Sequence, residues 1–550
     1  MGIWSRLSGR IMERADWKNI ALVLLFVFAV KCVIAQCFFF LSDEAYLGLW
    51  GKNISTGYYD HPPMAGWVAY ALLQIGQSPL ILRLGTILFS LAIGLGIFGL
   101  LKDYDRRKAY LVFLLFMFSP FDFMLFAVMT DAPLMFFAFF SIFFLFKAET
   151  KENRIYYLLS GICLGLAFLS KYFAIMVFAA YIVYFFAGKK NTVRVTGYGL
   201  LTIAATVLAA QNIAWNYHNG WPNAMHNFFN RIEKDANPAA SLSFLAASAA
   251  YMLTPVVCYF LYKNRKRFAQ CLWSRHFKLL VLIVAIPLVV LVLGSFIKDI
   301  RPHWIFFLMP VIFMIAGILI DPADLIKCIR FSFTFSMVQA VIVCAVPFFP
   351  FSLLAGRIDN KDFASFMLHL DPKGAAKNLD PYKDKFVMAT QSYSISALLE
   401  YDLGVRTVVF GGGSQHGRQD DIYTDFKEFD GRDFAILLKD QKHISRFSNM
   451  FDHTETRIFN VQKSPIYVLL GYHFKYDEYR LKYLVRTLNK YYQVPAWLPY
   501  SQSYFHKKYD FDPSCTYIEK QYATADANEA ANQVNVIPPA MSLNQAAAMK

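Results

Sequence analysis

The sequence predicts a multi-pass α-helical membrane protein of about eleven transmembrane helices, followed by a C-terminal extracytoplasmic α/β domain. Three observations predict it. The 550 residues are 57% hydrophobic and only 17% charged, which is more apolar than a soluble domain of this size. Apolar stretches long enough for a ~30 Å hydrocarbon core recur from residue 19 to 350 and then stop. Lysine and arginine crowd into alternate loops, the mark of a cytoplasmic face.

The predicted spans are 19–40, 80–101, 109–128, 132–147, 155–170, 172–187, 195–215, 244–262, 278–296, 304–320 and 329–349. The first is too long for a signal-peptide core and no small-x-small cleavage site follows it, so it reads as a retained helix. The 155–187 region holds two short helices that meet at Ser170-Lys171. One set of loops carries twenty-two basic residues, the opposite set six. With an odd number of spans, this places the N-terminus in the cytoplasm and everything past about residue 350 outside. The net charge of +15 is thus mostly a topology signal. No basic-aromatic motif for RNA or DNA accompanies it, so no nucleic-acid partner is expected.

Residues 1–350 form the predicted membrane domain and 351–522 a soluble domain. Residues 523–550 lack aromatics and read as a disordered tail. In the soluble domain, "KFVMAT" (385–390), "RTVVFGG" (406–412), "DFAILLK" (433–439) and "SPIYVLLGY" (464–472) read as strands. "SYSISALLEYDLG" (392–404) is a helix ended by glycine, and 477–492 is helical. Only Cys515 of eight cysteines lies there, so a disulfide framework is not expected. "GLGIFG" (94–99) fits a dinucleotide fingerprint but lies inside a span with no preceding strand; close helix packing is the better reading, as at Gly161 and Gly165. "GGGSQHGRQDD" (411–421) is either a surface loop, the stronger reading, or an anion cradle.

The first outer loop carries the densest chemistry. "LSDEAYLGLWGKNISTGYYDHPPMAGW" (41–67) sets Asp43, Glu44, Asp60 and His61 among aromatics. Asp43 and Glu44 follow the last apolar turn of the first span directly. Asp131, in "VMTDAPLMFF", repeats the theme in a short outer turn. Carboxylates this close to hydrocarbon usually face a cavity or a partner. On the same outer side lie Lys171 in "LSKYFA", His218, His226 and Arg231 in "WNYHNGWPNAMHNFFNRIEK", and Lys298, Arg301 and His303 in "KDIRPHW". Taken singly, each is a snorkelling or solvated residue. Together they place cations and imidazoles beside acids, which suits an anionic, lipid-embedded substrate.

In order along the chain stand an acidic pair after the first span, "YYDHPPM", "TDAP", "LSKY", "WN...GW" and "RPHW". This series resembles the polyprenyl-phosphate-sugar glycosyltransferases of the GT-C fold, among them the aminoarabinose (lipid A) transferases and the protein O-mannosyltransferases. The resemblance covers roughly residues 40–310. It implies a membrane enzyme that moves a sugar from a polyprenyl-phosphate (undecaprenyl-phosphate type) donor to lipid A, lipopolysaccharide core or another envelope acceptor, outside the bacterial inner membrane. By motif position it implies Asp43 as catalytic carboxylate, with Glu44 as its rival, and Asp131 as the second acid. It implies Lys171 at the donor phosphate, helped by Arg301 and His303. Tyr59, Asp60 and His61 would contact substrate. Asp60 and His226 match the positions of a metal pair, with aspartate here where the aminoarabinose transferases carry glutamate. A divalent metal is therefore an expectation of the resemblance, and a nucleotide cofactor is not. Protein O-mannosylation, or a lipid-linked sugar flippase, are the alternative readings. A flippase usually shows inverted repeats and mid-membrane charges; only Lys31 lies deep in a span and no repeat is evident.

Overall fold

Helix boundaries in the membrane region follow the punctuation of the sequence. Asp16 caps the helix Trp17–Cys37 by accepting from Asn19 N at 2.8 Å, and Ser78, with Pro79 next, starts Pro79–Leu101. Asp105, Asn153, Asn191 and Asn237 do the same for the helices that begin at Arg106, Arg154, Thr192 and Pro238. Each cap gives one orphan N–H an acceptor before the chain enters an apolar run. The computed structural model describes residues 15–229, 236–354, 357–412, 418–461, 464–495, 497–499, 503–513, 515–518 and 536–537. Arg231, residues 413–417 of the Gly-rich loop and nearly all of 523–550 lie outside the described residues.

Among the described residues, seven helical stretches are long and apolar enough to cross a membrane: Trp17–Cys37, Pro79–Leu101, Asp131–Lys151, Thr192–His218, Arg275–Gly294, Pro302–Leu319 and Pro322–Phe348. All seven coincide with predicted spans. Arg154–Ser170 and Ala174–Phe186 are the two short apolar helices expected on either side of Lys171. The other two predicted spans are discontinuous. The segment expected at 244–262 is divided into Pro238–Leu253 and Pro255–Lys263, bent by 94°. Pro255 disfavours helical backbone at its predecessor, and Thr254 sits at φ 73°. The segment expected at 109–128 is divided into Arg106–Met117 and Pro120–Met124, again at a proline.

Every residue from Ala109 to Met117 is buried, so this helix is the axis of the membrane core, enclosed by Pro79–Leu101, Met309–Leu319 and Pro322–Ala345. Glycine lets neighbours close in. A Cβ on Gly161 would lie 2.3 Å from the Leu201 carbonyl oxygen, and one on Gly96 would lie 2.4 Å from the Phe139 ring. "GLGIFG" is thus a packing face. Lys31 is neutralised inside the core by Asp122, 2.8 Å away, with both side chains fully buried.

The first outer loop is more ordered than its composition implies. It folds into two packed helices, Ser42–Lys52 and Met64–Leu73. Between them Trp50 and Tyr58 stack at 4.3 Å and 8°, and the Tyr58 hydroxyl donates to the Trp50 carbonyl at 2.9 Å.

The C-terminal part carries a five-stranded mixed sheet. Its strands are β1 (Val387–Thr390), β2 (Thr407–Val409), β3 (Phe434–Leu438), β4 (Phe451–Val461) and β5 (Ser464–Phe474), in the order β2-β1-β3-β5-β4. β1 runs parallel to β2 and β3; β5 is antiparallel to β3 and β4. The helix Tyr393–Leu403 ends on Gly404 at φ 69°, as its sequence predicts. β4 has no counterpart among the predicted strands. It is an edge strand whose interior residues face solvent on most positions, so its sequence lacks an apolar run.

This part packs directly on the first outer loop. Tyr393 meets Tyr46 at 4.9 Å and Tyr401 meets Phe40 at 4.7 Å. Gln419 donates its N–H to the Tyr46 hydroxyl at 2.9 Å, and its Oε1 accepts from Tyr59 N at 2.7 Å.

Candidate functional site

Asp43 and Glu44 share the first turn of the Ser42–Lys52 helix and have opposite surroundings. Glu44 is fully buried. Its Oε1 accepts from Arg83 Nε at 2.8 Å and from Val128 N at 2.9 Å; its Oε2 accepts from Arg83 Nη2 at 2.6 Å and Leu41 N at 3.0 Å. Arg83 also donates to the carbonyls of Ala35, Phe38 and Phe39 at the end of the first span. Every lone pair of Glu44 is thereby committed to holding three segments together. Asp43 has no hydrogen bond or ion pair among the described residues and keeps contact with solvent. Burial pushes its carboxyl above the usual carboxylate range, the His369 imidazole partly offsets this, and Glu44 adds to it.

Asp131 heads the Asp131–Lys151 helix and is 4% exposed. Lys171 lies at the break after Arg154–Ser170, in extended backbone. The two meet in a buried ion pair, Lys171 Nζ lying 2.8 and 2.9 Å from the two carboxylate oxygens. Lys171 Nζ also sits 5.1 Å from the Phe173 ring centre. Phe173 in turn packs edge-on against Trp304 at 5.2 Å, and Lys298 lies 5.5 Å over Trp304. The "KDIRPHW" segment is thus brought against the Asp131–Lys171 pair. Arg301, exposed, and His303, half-buried, lie in that segment. Glu44 also anchors Val128, a few positions before Asp131.

Tyr59 is fully buried. Its ring packs edge-on against His226 at 5.6 Å and against Tyr492 of the C-terminal part at 5.8 Å. Asp60 follows, half-buried, and its charge reaches the Tyr46 hydroxyl, which burial chiefly and then Asp60 and Asp420 raise well above the ordinary tyrosine range. His61 lies 6.2 Å from Trp50. His226 is 5% exposed, on a single π-helical turn, Met225–Phe229. Among the described residues no three His, Cys, Asp or Glu side chains form a group that would hold a metal ion. Asp60 and His226 therefore lack a third protein ligand there, short of the usual complement, and no step below is routed through a metal.

Several residues of this region were not singled out from the sequence. Arg83 lies inside a span, where an ionisable side chain must find a partner; that rule alone marks it. His369 and Gln419 come from the C-terminal part, and no sequence signal joins them to residues 43 and 59. Asn212, Asn216 and Asn223 form a buried amide network around the Tyr172 hydroxyl.

Known proteins resemble this chain in sequence and in fold. Residues 60–215 match the sequence profile of the family described as dolichyl-phosphate-mannose-protein mannosyltransferase. A stretch of 219 residues, 38% of this chain, is 26% identical to the lipid A galacturonosyltransferase RgtD of Rhizobium johnstonii. That stretch spans 45% of the relative, so the chain spans under half the length of the curated protein it matches. Among solved structures, ArnT from Cupriavidus metallidurans, crystallised with undecaprenyl phosphate, superposes with a TM-score of 0.60 at 12% identity. The superposition covers 82% of this chain and 97% of ArnT. The chain is a multi-pass membrane protein with the GT-C fold.

Proposed function

We propose that this protein is an inverting glycosyltransferase of the bacterial inner membrane. It moves a sugar from a polyprenyl phosphate to lipid A, lipopolysaccharide core or another envelope lipid on the outer face. The observation that carries the reading is the buried Asp131–Lys171 pair at the mouth of two apolar helices, with the 298–304 segment beside it. Lys171 has three N–H donors and Asp131 takes two, which leaves one for a phosphate oxygen. Lys298, Arg301 and His303 supply further donors where the leaving phosphate gathers charge. RgtD, named for transfer to lipid A, and ArnT, crystallised with undecaprenyl phosphate, support the same donor and acceptor classes.

Asp43 is the base in this reading. Its carboxylate takes the proton of the acceptor hydroxyl as that oxygen attacks the anomeric carbon. The bond from that carbon to the phosphate oxygen breaks, and the polyprenyl phosphate leaves with the electron pair, stabilised by Lys171. A carboxylate held above its usual range is a stronger base when ionised. Glu44 and Tyr59 are architectural, since their groups are spent on Arg83 and on the C-terminal part. Asp60 and His61 lie next to them at the loop edge and face the sugar.

The matched family description favours a second reading, transfer to protein hydroxyls. Carbohydrate analysis of envelope fractions with and without the gene separates the two. A sugar lost from the lipid fraction supports the first; one lost from the protein fraction supports the second; unchanged fractions refute both.

A further inference from the structure

The amide network beside Lys171 has more order than loop closure needs. Asn212 and Asn223 are fully buried and Asn216 nearly so. The Tyr172 hydroxyl lies 2.7 Å from Asn212 Oδ1 and 2.6 Å from Asn223 Oδ1. It has one proton for two amide oxygens, so one amide turns its NH2 toward the phenol. Asn212 is that amide, because its Nδ2 otherwise has no acceptor among the described residues. Asn216 Nδ2 then still has Asn212 O at 2.9 Å and Asn223 Oδ1 at 3.0 Å for its two protons. Asn216 Oδ1 accepts from Asn223 N at 3.0 Å. Asn223 Nδ2 donates to the carbonyls of Tyr58 at 2.5 Å and Tyr59 at 2.8 Å. One set of three amides and a phenol therefore ties together the break that bears Lys171, the turn that leads to Asp60 and His61, and the segment that bears His226.

We propose that Tyr172, held by the Asn212–Asn216–Asn223 plate, is a positioning residue that presents Lys171 to the donor phosphate in a preset place relative to the Tyr58–Asp60 turn. Lys171 ends one helix, its N–H on the Ala167 carbonyl at 3.0 Å, and its own carbonyl accepts from Ala174 N at 3.2 Å at the start of the next, so the two helices meet at this residue without a continuous ladder through it. Its neighbour's hydroxyl is the anchor. Preorganised donors act on a ligand only when their own geometry is locked by a supporting shell, and this plate is that shell. The inference rests on the donor-phosphate reading of Lys171.

The test is binding of undecaprenyl phosphate to the full chain in phospholipid nanodiscs. Wild type, Tyr172→Phe, Lys171→Met and the double variant are compared, with melting midpoints beside the affinities. Tyr172→Phe is expected to weaken binding about tenfold, the scale of one well-placed buried hydrogen bond, with only a small drop in the midpoint. The double variant is expected to bind no worse than Lys171→Met alone. Asn223→Asp, which keeps volume but loses the donors to Tyr58 and Tyr59, is the second variant and should show the same non-additivity with Lys171→Met. Wild-type binding by Tyr172→Phe, with loss in Lys171→Met, overturns the inference and leaves the Lys171 reading standing. An equal loss in both backgrounds with a much lowered midpoint means a merely structural plate and also overturns it. Wild-type binding by Lys171→Met overturns the reading beneath it, and the inference with it.

Discussion

At the scale of single residues, the adjacent pair Asp43-Glu44 shows how differently two neighbouring carboxylates can be surrounded. Four hydrogen-bond contacts bind Glu44 to Arg83 and two backbone amides, while Asp43 makes none among the described residues. The sequence leaves the two as rivals, because adjacent positions on a helix differ in direction but not in chemistry. The decisive partner, Arg83, is 39 positions away. Asp43→Asn is expected to lower transfer by ~10²–10⁴-fold, the usual worth of a general base, with the melting midpoint unchanged. Glu44→Gln is expected to lower the midpoint, since breaking a buried pair costs about 3–5 kcal/mol. Kinetics and thermal unfolding of both variants check this; unimpaired transfer by Asp43→Asn would move the base elsewhere.

The same carboxylate sets a pH dependence. Burial raises the Asp43 carboxyl and the His369 imidazole, when charged, lowers it. The base must be ionised, so activity falls as pH drops through its pKa. His369→Gln removes the lowering charge, and the acid limb of the rate profile should shift to higher pH. A limb that stays in place, or moves down, would separate His369 from Asp43. His369 itself is fixed by the Ser365 carbonyl at 2.7 Å and the Ser394 hydroxyl at 3.2 Å, so the imidazole is a stationary neighbour.

Among the elements, legibility tracks local causes. The long spans were readable because length and apolarity are properties of a short window. So were the strands β1, β2, β3 and β5, each an apolar run, and the helix that stops at Gly404. What escaped were elements set by neighbours. The Ser42–Lys52 and Met64–Leu73 helices are Gly- and aromatic-rich and take their form from packing on each other, the first also on Tyr393–Leu403. The 94° bend at Thr254 was signalled only by Pro255. Loop charge predicts a direction for all these elements, with the C-terminal part outside. A reporter active only in the periplasm, fused after residue 360, should be live and a cytoplasmic one dead; the reverse pattern would invert the topology.

Over the whole molecule, the candidate site is a meeting of segments distant in sequence. The first outer loop supplies Asp43 and Asp60, the turn between the fifth and sixth predicted spans supplies Lys171, and the loop before the tenth predicted span supplies Lys298, Arg301 and His303. The order of motifs made these residues legible as a set. Their contacts were not, because the Phe173–Trp304 packing, the asparagine plate and the Tyr59–Gln419 hydrogen bond each join positions with no local pattern in common. The C-terminal part packs on this region: Gln419 holds Tyr46 and Tyr59 at once, and the Trp221 indole donates to the Pro499 carbonyl at 2.6 Å.

The central claim is that a sugar leaves a polyprenyl phosphate and ends on an envelope lipid. The direct measurement follows an isotope-labelled sugar, supplied as its undecaprenyl-phosphate conjugate, in vesicles that contain the purified chain and lipid A. The account predicts that mass spectrometry finds the label on lipid A, with one undecaprenyl phosphate released for each sugar transferred, and that the Asp43→Asn variant yields neither product. Label that crosses the bilayer still joined to undecaprenyl phosphate, with no undecaprenyl phosphate released, would contradict it and mark the protein as a transporter of the intact donor.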